Sequence, residues 1–442
     1  MENSTSSTES NIPSTETNLK IAVIGSGISG LVSAWQLSQK YQVCLFEQSD
    51  TLGGHTATKQ IDYLGKTYSI DTGFIVFNDW TYPNFNRFLD KLRVKHQPTT
   101  MSFSVKNEAD NLEYNGNTLA SLFAQKRNIF KPKFYKFINE IIRFNKLSKQ
   151  VLNGDVAESE ALLNDSLAHF LARFNFSDYF ATNYILAMGA AIWSSGLDGM
   201  KSFPLKFFLR FFNNHGLLNI TNRPQWSVVS GGSRQYIDAL LPKMPQVDIR
   251  LNSPVKSVRR LADKSFIAIE VNGQLEYFDK VIIACHSDQA LAMLETPSQA
   301  EKAILADIEY ANNEVILHTD HRILPKRRAA WAAWNYDLSA TNKQAATLTY
   351  NMNILQGIKS DTTFCVTLNQ TEQIDSTKII GRYQYAHPVY NQKSINAQQK
   401  RAEINGVDGI YYCGAYWYNG FHEDGIRSAL DVCSLLEANY FD

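Results

Sequence analysis

The stretch LKIAVIGSGISG (residues 19–30) decides the fold of this chain. It joins an apolar run, residues 19–24, to a turn in which three glycines follow the spacing GxGxxG. Apolar residues then recur at helical spacing, and a second apolar run, residues 41–46, ends at Glu47. Strand, glycine-rich turn, helix and strand within about 30 residues predict one βαβ unit of a parallel sheet.

The three glycines of this turn have separate tasks in a dinucleotide-binding site. Gly25 allows the tight turn out of the strand, Gly27 lets the backbone approach a pyrophosphate, and Gly30 lets helix and strand pack closely. The helix that begins there presents free N–H groups to the phosphates. Glu47 is placed to accept hydrogen bonds from a ribose diol, and it would repel the 2′-phosphate of NADP. The motif alone does not separate NAD from FAD.

Composition excludes several classes of protein. The 442 residues carry 43 Lys and Arg against 43 Asp and Glu, so a globally basic nucleic-acid binder is disfavoured and no nucleic-acid partner is expected. Residues 1–18 are polar and lack the features of a signal peptide, which predicts a flexible tail. Five cysteines without CxxC or zinc spacing indicate reduced thiols, no metal site and a cytoplasmic location.

Further α/β signals lie in two more parts of the chain. Asn272-Gly273 between apolar alternating runs predicts a hairpin over 265–278, and residues 281–285 predict a buried strand. Near the end, a strand over 409–413 precedes Gly414 and a helix over 425–436. We therefore predict a discontinuous Rossmann-like domain of the α/β class, interrupted by an inserted α+β substrate domain. The expected bounds are 19–96, 225–296 and 405–442 for the first domain and 97–224 and 297–404 for the second.

Two segments favour a cofactor longer than NAD. A Gly-Gly pair, Gly53-Gly54, follows Glu47 closely and would let the chain pass near an extended ligand, although an ordinary loop is the alternative. Glu423-Asp424-Gly425 stands at a predicted helix start, where the helix dipole can stabilise negative charge on a reduced isoalloxazine ring. A normally capped helix is the alternative reading of that segment.

These segments together resemble the flavin-containing amine oxidase superfamily, whose members share a two-domain fold of the glutathione-reductase-like type with FAD. The similarity follows most of the chain in order through 25–30, Glu47, 52–54, 71–73, 230–232, 252–255, 281–284 and 414–425. It implies that Val255 contacts the adenine side and that residues 423–426 reach the ribityl chain and flavin. No covalent attachment pattern is visible, so FAD is expected to be held non-covalently. The residues expected to bind it are Gly25, Ser26, Gly27, Ile28, Ser29, Gly30, Glu47, Gln48, Gly53, Gly54, His55, Thr56, Thr72, Gly73, Val255, Gly414, Glu423, Asp424, Gly425 and Ile426.

Within that superfamily the chain looks like a subgroup found beside, or fused to, cyclopropane-fatty-acid synthases. The similarity is carried by residues 211–216, 222–226, 334–336, 387–390, 414–417 and 420–425. It implies a lipid substrate by association, and a fatty-acid-modifying enzyme as functional partner.

The chain departs from the amine oxidases at two places. His55 stands where many members carry Arg, which puts direct phosphate neutralisation there in doubt. His422 lies near the position of an aromatic residue of the amine cage. We expect His422 and Trp417 to line the reacting face as the catalytic residues, with a satisfied structural histidine as the alternative for His422.

Other residues have open interpretations. His215 and His387 are expected to be packed or capping, and Arg223 and Arg234 either meet an anionic head group or pair at the surface. Residues 126–149 carry eight basic residues and one acid, interleaved with aromatics. They predict a peripheral membrane contact, a site for an acidic carrier protein, or a helix with an aromatic core face. Residues 202–213 line an acyl tunnel or form a buried helix.

The sequence therefore predicts an FAD-dependent oxidoreductase that transfers a hydride to or from flavin, with a lipid or fatty-acyl substrate. An amine oxidase acting on a soluble amine is one alternative. A non-redox flavin-dependent isomerase is a second, and a flavoprotein subunit of a lipid-modifying enzyme is a third.

Overall fold

The computed structural model describes residues 19–262, 266–338 and 345–438, so the tail predicted over 1–18 lies outside the described residues. Twenty strands are described in chain order. They are β1 (Lys20–Ile24), β2 (Gln42–Phe46), β3 (Thr58–Tyr63), β4 (Lys66–Asp71), β5 (Phe77–Asn78), β6 (His96–Pro98), β7 (Phe103–Asn107), β8 (Leu112–Asn115), β9 (Trp226–Val229), β10 (Asp248–Arg250), β11 (Val255–Arg260), β12 (Ile267–Val271), β13 (Gln274–Phe278), β14 (Lys280–Ile283), β15 (Tyr310–His318), β16 (Trp334–Asp337), β17 (Leu348–Asn351), β18 (Cys365–Leu368), β19 (Ile379–Pro388) and β20 (Ile410–Tyr412).

Sixteen α-helices are described along the same ranges. They are α1 (Ile28–Leu37), α2 (Pro83–Leu92), α3 (Leu119–Leu122), α4 (Pro132–Asn153), α5 (Ser159–Leu163), α6 (Leu167–Arg173), α7 (Asp178–Phe180), α8 (Leu186–Trp193), α9 (Leu197–Lys201), α10 (Leu205–Asn214), α11 (Arg234–Leu240), α12 (Ser287–Met293), α13 (Gln299–Ala306), α14 (Met352–Leu355), α15 (Gln392–Gln399) and α16 (His422–Leu435).

A five-stranded parallel sheet carries the glycine-rich turn. Its order is β10-β2-β1-β14-β20. Ile24 at the end of β1 is paired with Phe46 and with Ile283, and Ile283 is paired with Tyr412. The predicted βαβ unit is therefore present as β1, α1 and β2. Because all five strands run the same way, the segments that follow them emerge at one edge of the sheet, where ligands of open α/β sheets bind.

The predicted hairpin is also present. β12 and β13 are antiparallel, Val271 pairs with Gln274, and Asn272-Gly273 forms the turn with positive φ at both residues. The first strand begins at Ile267, two residues later than predicted, and Ser265 lies outside the described residues.

A seven-stranded sheet of order β19-β15-β18-β17-β16-β7-β8 forms the second layer. The β7–β16 pair is parallel, with Phe103 opposite Trp334, while the other neighbours are antiparallel. All seven strands lie within the ranges 97–224 and 297–404. This sheet with helices α4–α10 beside it agrees with an inserted α+β unit. The domain bounds themselves stay a prediction.

The helical region between β8 and β9 packs around aromatic side chains. The segment predicted over 126–149 is a short 3₁₀ helix, Lys126–Phe130, followed by α4, which buries Phe134, Phe137 and Phe144. The segment over 202–213 becomes α10, which buries Phe208 and Phe212. Both segments therefore have a face that packs in the core. Phe211 of α10 also lines the cavity of the candidate site.

The last helix, α16, lies directly on α1. The Ser29 hydroxyl donates to the Gly425 carbonyl at 2.9 Å, and a Cβ at Gly425 would lie 2.5 Å from Cγ2 of Ile28. Only glycine therefore fits the helix contact at this position without a shift. The α/β elements predicted near the two ends of the chain, α1 and α16, therefore pack together in one layer.

Two further features concern membrane-spanning helices and disulfide bonds. In the part of the chain that the structure describes, no helix combines the length and apolar character needed to span a bilayer. The five cysteines form no disulfide bond with one another.

Candidate functional site

A cavity of about 1120 Å³ begins at the carboxyl edge of the parallel sheet and continues past the seven-stranded sheet to the helical region. Its lining comes from all three parts: Gly27 follows β1, Val315 belongs to β15 and Tyr184 precedes α8. A cavity shared by three structural units is a usual place for a cofactor and its substrate.

Most of the predicted cofactor residues line this cavity. The lining ones are Gly25, Ser26, Gly27, Ile28, Ser29, Glu47, Gln48, Gly53, Gly54, His55, Thr72, Gly73, Val255 and Gly414. Most of them lie in the segments that follow β1, β2, β4 and β20, and Val255 is the first residue of β11, a strand of a separate three-stranded sheet.

The glycines of the turn fit a dinucleotide. A Cβ at Gly30 would lie 1.9 Å from the Gly25 carbonyl oxygen, so Gly30 is required for packing of the turn itself. A Cβ at Gly27 would meet nothing within 4 Å, and Gly54 approaches Gly27 so closely that its own Cβ would lie 3.2 Å from the Gly27 Cα. The open space above Gly27, at the start of α1, fits the phosphates of FAD.

Glu47 is held in place by the same turn. Its Oε2 accepts hydrogen bonds from the Ser26 backbone N–H at 2.9 Å and hydroxyl at 2.6 Å, and its Oε1 accepts from the Ser49 N–H at 2.9 Å. The carboxylate lines the cavity while tying the glycine turn to the end of β2. The contact of Glu47 with a ribose diol stays a prediction.

Six residues expected to contact the cofactor, and Trp417, do not line the cavity. They are Gly30, Thr56, Trp417, Glu423, Asp424, Gly425 and Ile426, whereas Asn419, Gly420, Phe421 and His422 of the same segment do line it. For the four residues from Glu423 to Ile426 the physical reason is helix geometry, because α16 begins at His422 and its first turn packs against α1 and α2.

Glu423 binds the start of another helix. Its carboxylate accepts from the Phe85 N–H at 2.9 Å, the Asn84 side-chain amide at 2.7 Å and the Asn84 N–H at 3.2 Å. These donors belong to the first turn of α2, where a carboxylate is stabilised by the free N–H groups. Glu423 therefore joins α16 to α2, and the expectation that it reaches the flavin does not match this placement.

Trp417 lies in the core beneath the cavity. Its ring is 2% exposed, its centroid is 4.9 Å from that of Tyr416, and the Arg401 guanidinium lies 5.4 Å from the ring centroid. The structure thus places Trp417 away from the face on which we expected it, while its neighbour Tyr416 lines the cavity.

His422 lines the cavity and is also fully supported by protein groups. Its Nε2 lies 3.0 Å from the Thr56 hydroxyl and 3.3 Å from the Tyr236 hydroxyl, and these two hydroxyls are themselves hydrogen-bonded. The ring stacks on Phe74 with centroids 3.5 Å apart. Burial, and to a lesser degree His55, lower the pKa of His422 well below its usual value, so the imidazole is neutral at pH 7.

Two histidines lie beside His55, a cluster that the sequence did not lead us to predict. The His55 ring centroid lies 5.5 Å from that of His387 and 6.1 Å from that of His286, and all three residues line the cavity. Burial, followed by the charges of its two neighbours, lowers the pKa of His55 to about 3. His286 could have been found from sequence, because it follows the end of β14 by three residues at the ligand-binding edge.

The part of the cavity away from the glycine turn is mostly aromatic and aliphatic. Among the described residues, the lining there includes Phe103, Tyr184, Met188, Ile192, Phe211, Trp226, Trp334, Tyr350, Tyr390 and Phe421. Within the described ranges, the carboxylates that line the cavity are Glu47 and Asp288, both at the end beside the glycine turn, and the one lining Lys or Arg is Arg223. The described residues thus make this part mostly apolar and contribute no carboxylate to it.

Arg223 marks an opening of the cavity. It is exposed, and its Nε donates to the Asn219 carbonyl at 2.8 Å. Burial raises the pKa of the nearby Tyr184 phenol, and the charge of Arg223 partly offsets that shift. Arg234, by contrast, bonds the Leu52 carbonyl and pairs with Asp238, so it is committed to the protein.

The fold, the glycine cradle and the continuous cavity define a dinucleotide-binding protein of the α/β class. Residues 28–352, well over half of the chain, match the family described as flavin containing amine oxidoreductase. The chain belongs to this family and is an FAD-dependent oxidoreductase. No curated protein matches it by sequence.

Solved structures of similar fold have varied activities. Putrescine oxidase bound to putrescine is 14% identical with a TM-score of 0.68, covering 95% of this chain and 99% of that one. Cyclohexylamine oxidase from Brevibacterium oxydans IH-35A is 13% identical with a TM-score of 0.66, covering 95% and 98%. A CLA-producing fatty acid isomerase from P. acnes is 14% identical with a TM-score of 0.64, covering 94% and 98%. These likenesses confirm the predicted fold class.

Proposed function

We propose that this enzyme holds FAD non-covalently and transfers a hydride between its flavin and an extended, apolar acyl substrate with an anionic head group. The observation that carries the proposal is the charge pattern of the cavity. Its substrate half is aromatic and without carboxylates among the described residues, and its opening carries Arg223. An acyl chain would bury apolar surface there, and a guanidinium is a good partner for a carboxylate or phosphate.

The chain's own groups would hold and orient the cofactor. Gly27 leaves room for the diphosphate at the start of α1, and the Glu47 carboxylate, which lines the cavity, would accept hydrogen bonds from a ribose diol. When bound, FAD supplies a ring that accepts or donates a hydride. The aromatic lining would exclude water from the reacting atoms, which strengthens every electrostatic interaction within the site.

His422 has a positioning role in this proposal. A neutral imidazole supported by the hydroxyls of Thr56 and Tyr236 and stacked on Phe74 keeps one orientation without carrying charge. The supporting bonds favour a fixed wall of the site over an acid or base that titrates near neutrality.

A soluble amine is less well matched to this cavity. A protonated amine in an apolar site needs a counter-charge, because burying an unpaired charge is costly. The two lining carboxylates lie beside the nucleotide, and Arg223 would repel an ammonium group. The amine oxidase alternative is therefore disfavoured on electrostatic grounds.

Anaerobic titration of the flavin tests the proposal. Oleate and a matched phospholipid should change the absorbance of the oxidised or the chemically reduced flavin, while putrescine and cyclohexylamine should not. Flavin reduction by the amines alone, with no response to any acyl compound in either redox state, would contradict it. Release of free FAD on denaturation tests non-covalent binding.

The substitution Arg223→Gln tests the anionic head group. It should weaken acyl binding roughly tenfold, because a charge-assisted hydrogen bond contributes about 1.5–3 kcal/mol. Arg210→Gln, an exposed arginine on α10 that does not line the cavity, is the matched control. Equal affinities of the two variants for oleate would show that Arg223 does not meet the head group.

A non-redox isomerisation is the second candidate. The CLA-producing fatty acid isomerase shows that this fold accompanies such chemistry on a fatty acid in another protein. An isomerase would convert an unsaturated acid without consuming an electron acceptor. A cytoplasmic location and a fatty-acid-modifying partner belong to the same proposal, and co-purification with that partner's activity tests the latter.

A further inference from the structure

We propose that the surface formed by α3, the 3₁₀ helix Lys126–Phe130 and the start of α4 is a docking surface for an anionic lipid bilayer. It is called the basic-aromatic surface below. The inference goes beyond the proposed reaction, because binding of a bilayer requires neither turnover nor a bound substrate.

Large apolar side chains project from this surface into solvent. Phe130 is 86% exposed, Leu119 78%, Tyr135 50% and Ile129 45%. They belong to one region, because the ring centroid of Phe123, one residue after α3, lies 5.4 Å from that of Phe134 and 6.1 Å from that of Tyr135. Such a group of exposed apolar residues marks an interaction site rather than ordinary surface.

Basic side chains surround these apolar ones. Lys126, Lys131 and Lys136 are exposed, and the described residues offer them no ion pair. Acidic residues nearby are already engaged, since Asp110 pairs with Lys133 at 3.2 Å and Glu140 is buried on the Ser177 hydroxyl and N–H. A chain of zero net charge thus concentrates unneutralised positive charge around Phe130, the most exposed aromatic residue of the part that the structure describes.

The combination of exposed apolar side chains and flanking lysines indicates which kind of partner fits this surface. Apolar side chains with flanking lysines match the acyl boundary and the anionic head groups of a bilayer. An acidic carrier protein would match the lysines. It would have to offer, on a small charged surface, a pocket for a phenylalanine that is 86% exposed here. The bilayer accounts for both features.

The surface lies beside an opening of the cavity. Gly116 and Asn117 are exposed and line the cavity, and Leu119 follows two residues later. Phe103, which also lines the cavity, accepts a backbone hydrogen bond from Gly116 at 3.2 Å. A bilayer held by Leu119 and Phe130 would therefore stand next to a route into the apolar part of the cavity.

Sedimentation of the flavin-loaded, full-length enzyme with vesicles tests the proposal. We expect binding to vesicles of phosphatidylcholine with about one third phosphatidylglycerol, weaker binding at high salt, and little binding to pure phosphatidylcholine. Phe130→Ser, and separately the triple change Lys126→Glu, Lys131→Glu and Lys136→Glu, should each weaken binding by about tenfold or more.

Leu64→Ser is the matched control, because Leu64 is 85% exposed on the β3–β4 turn, outside this surface. It should bind vesicles as the wild type does, and all variants should keep the visible spectrum of bound flavin, which shows that they are folded. Wild-type enzyme that ignores anionic vesicles, or variants that bind as well as wild type, would overturn the proposal. Capture by an acidic acyl carrier protein in place of vesicles would also overturn it. Since no substrate is added, these outcomes are independent of whether the acyl substrate is correct.

Discussion

At the scale of single residues, identical residue types in one motif have different physical roles. Gly30 is needed because the turn would otherwise clash with itself, whereas a Cβ at Gly27 would meet no protein atom within 4 Å. The backbone of Gly27 has a φ of −61°, which any residue can adopt. The fold therefore does not require glycine at position 27, and the predicted diphosphate would supply the reason for it.

Gly27→Ala should separate folding from cofactor binding. The added methyl group meets no protein atom within 4 Å, so the free energy of unfolding of the cofactor-free protein should change by less than about 1 kcal/mol. Flavin affinity should fall at least tenfold, because the methyl group occupies the space for the diphosphate. Thermal unfolding and flavin-fluorescence titration measure the two effects. A variant that binds FAD normally would place the diphosphate elsewhere.

At the scale of elements, the first turn of α16 joins the layers of the protein. Glu423 binds the start of α2, Gly425 contacts α1, and Asp424 closes the turn by accepting from the Phe421 N–H at 2.9 Å. This turn was predicted to meet the cofactor because a helix N-terminus can stabilise negative charge, and because the family resemblance implies that residues 423–426 reach the flavin. The directions in which these three residues pack could not be read from their order.

Asp424 should make stability depend on pH. Burial is the largest cause that raises the pKa of Asp424 from 3.8 to about 7 in the folded protein. The folded state therefore favours the protonated form, and the stabilisation this gives is complete below about pH 4 and is lost as pH rises through about 7. Relative to Asp424→Asn, wild-type enzyme should lose up to about 1.4 kcal/mol per pH unit between pH 4 and 7.

Unfolding temperatures of the two proteins from pH 5 to 8 measure this difference. Asp238→Asn, a change at an exposed side chain on α11, is the control and should follow the wild-type curve. Parallel curves for wild type and Asp424→Asn would mean that Asp424 does not retain its proton in the folded protein.

At the scale of the whole molecule, the cavity is the feature that the separate parts share. The parallel sheet supplies the glycine turn, the seven-stranded sheet supplies residues such as Val315 and Tyr350, and α10 supplies Phe211. A cofactor in such a cavity contacts several units at once, so its binding energy adds to the stability of all of them.

Removal of FAD should therefore destabilise the whole enzyme. At a free FAD concentration of one hundred times Kd, binding contributes about 2.7 kcal/mol to the free energy of unfolding. The apoenzyme should unfold at a lower temperature, be cleaved faster by proteases, and recover on addition of FAD but not of NAD. Equal unfolding temperatures with and without FAD would contradict the predicted site.

The sequence by itself determined the local elements with strong periodicity and the residues that follow parallel strands. The βαβ unit, the Asn-Gly hairpin and the last helix come from patterns within a few neighbouring residues, and parallel strands bring the turn after β1, Glu47 and Gly414 to one edge. Only the tertiary structure decided what lies across long separations. It paired Phe103 with Trp334, gathered His55, His286 and His387, and turned Glu423 and Trp417 away from the cavity. The physical reason is that short-range patterns fix backbone conformation, whereas the direction of a side chain is fixed by the surfaces packed against it.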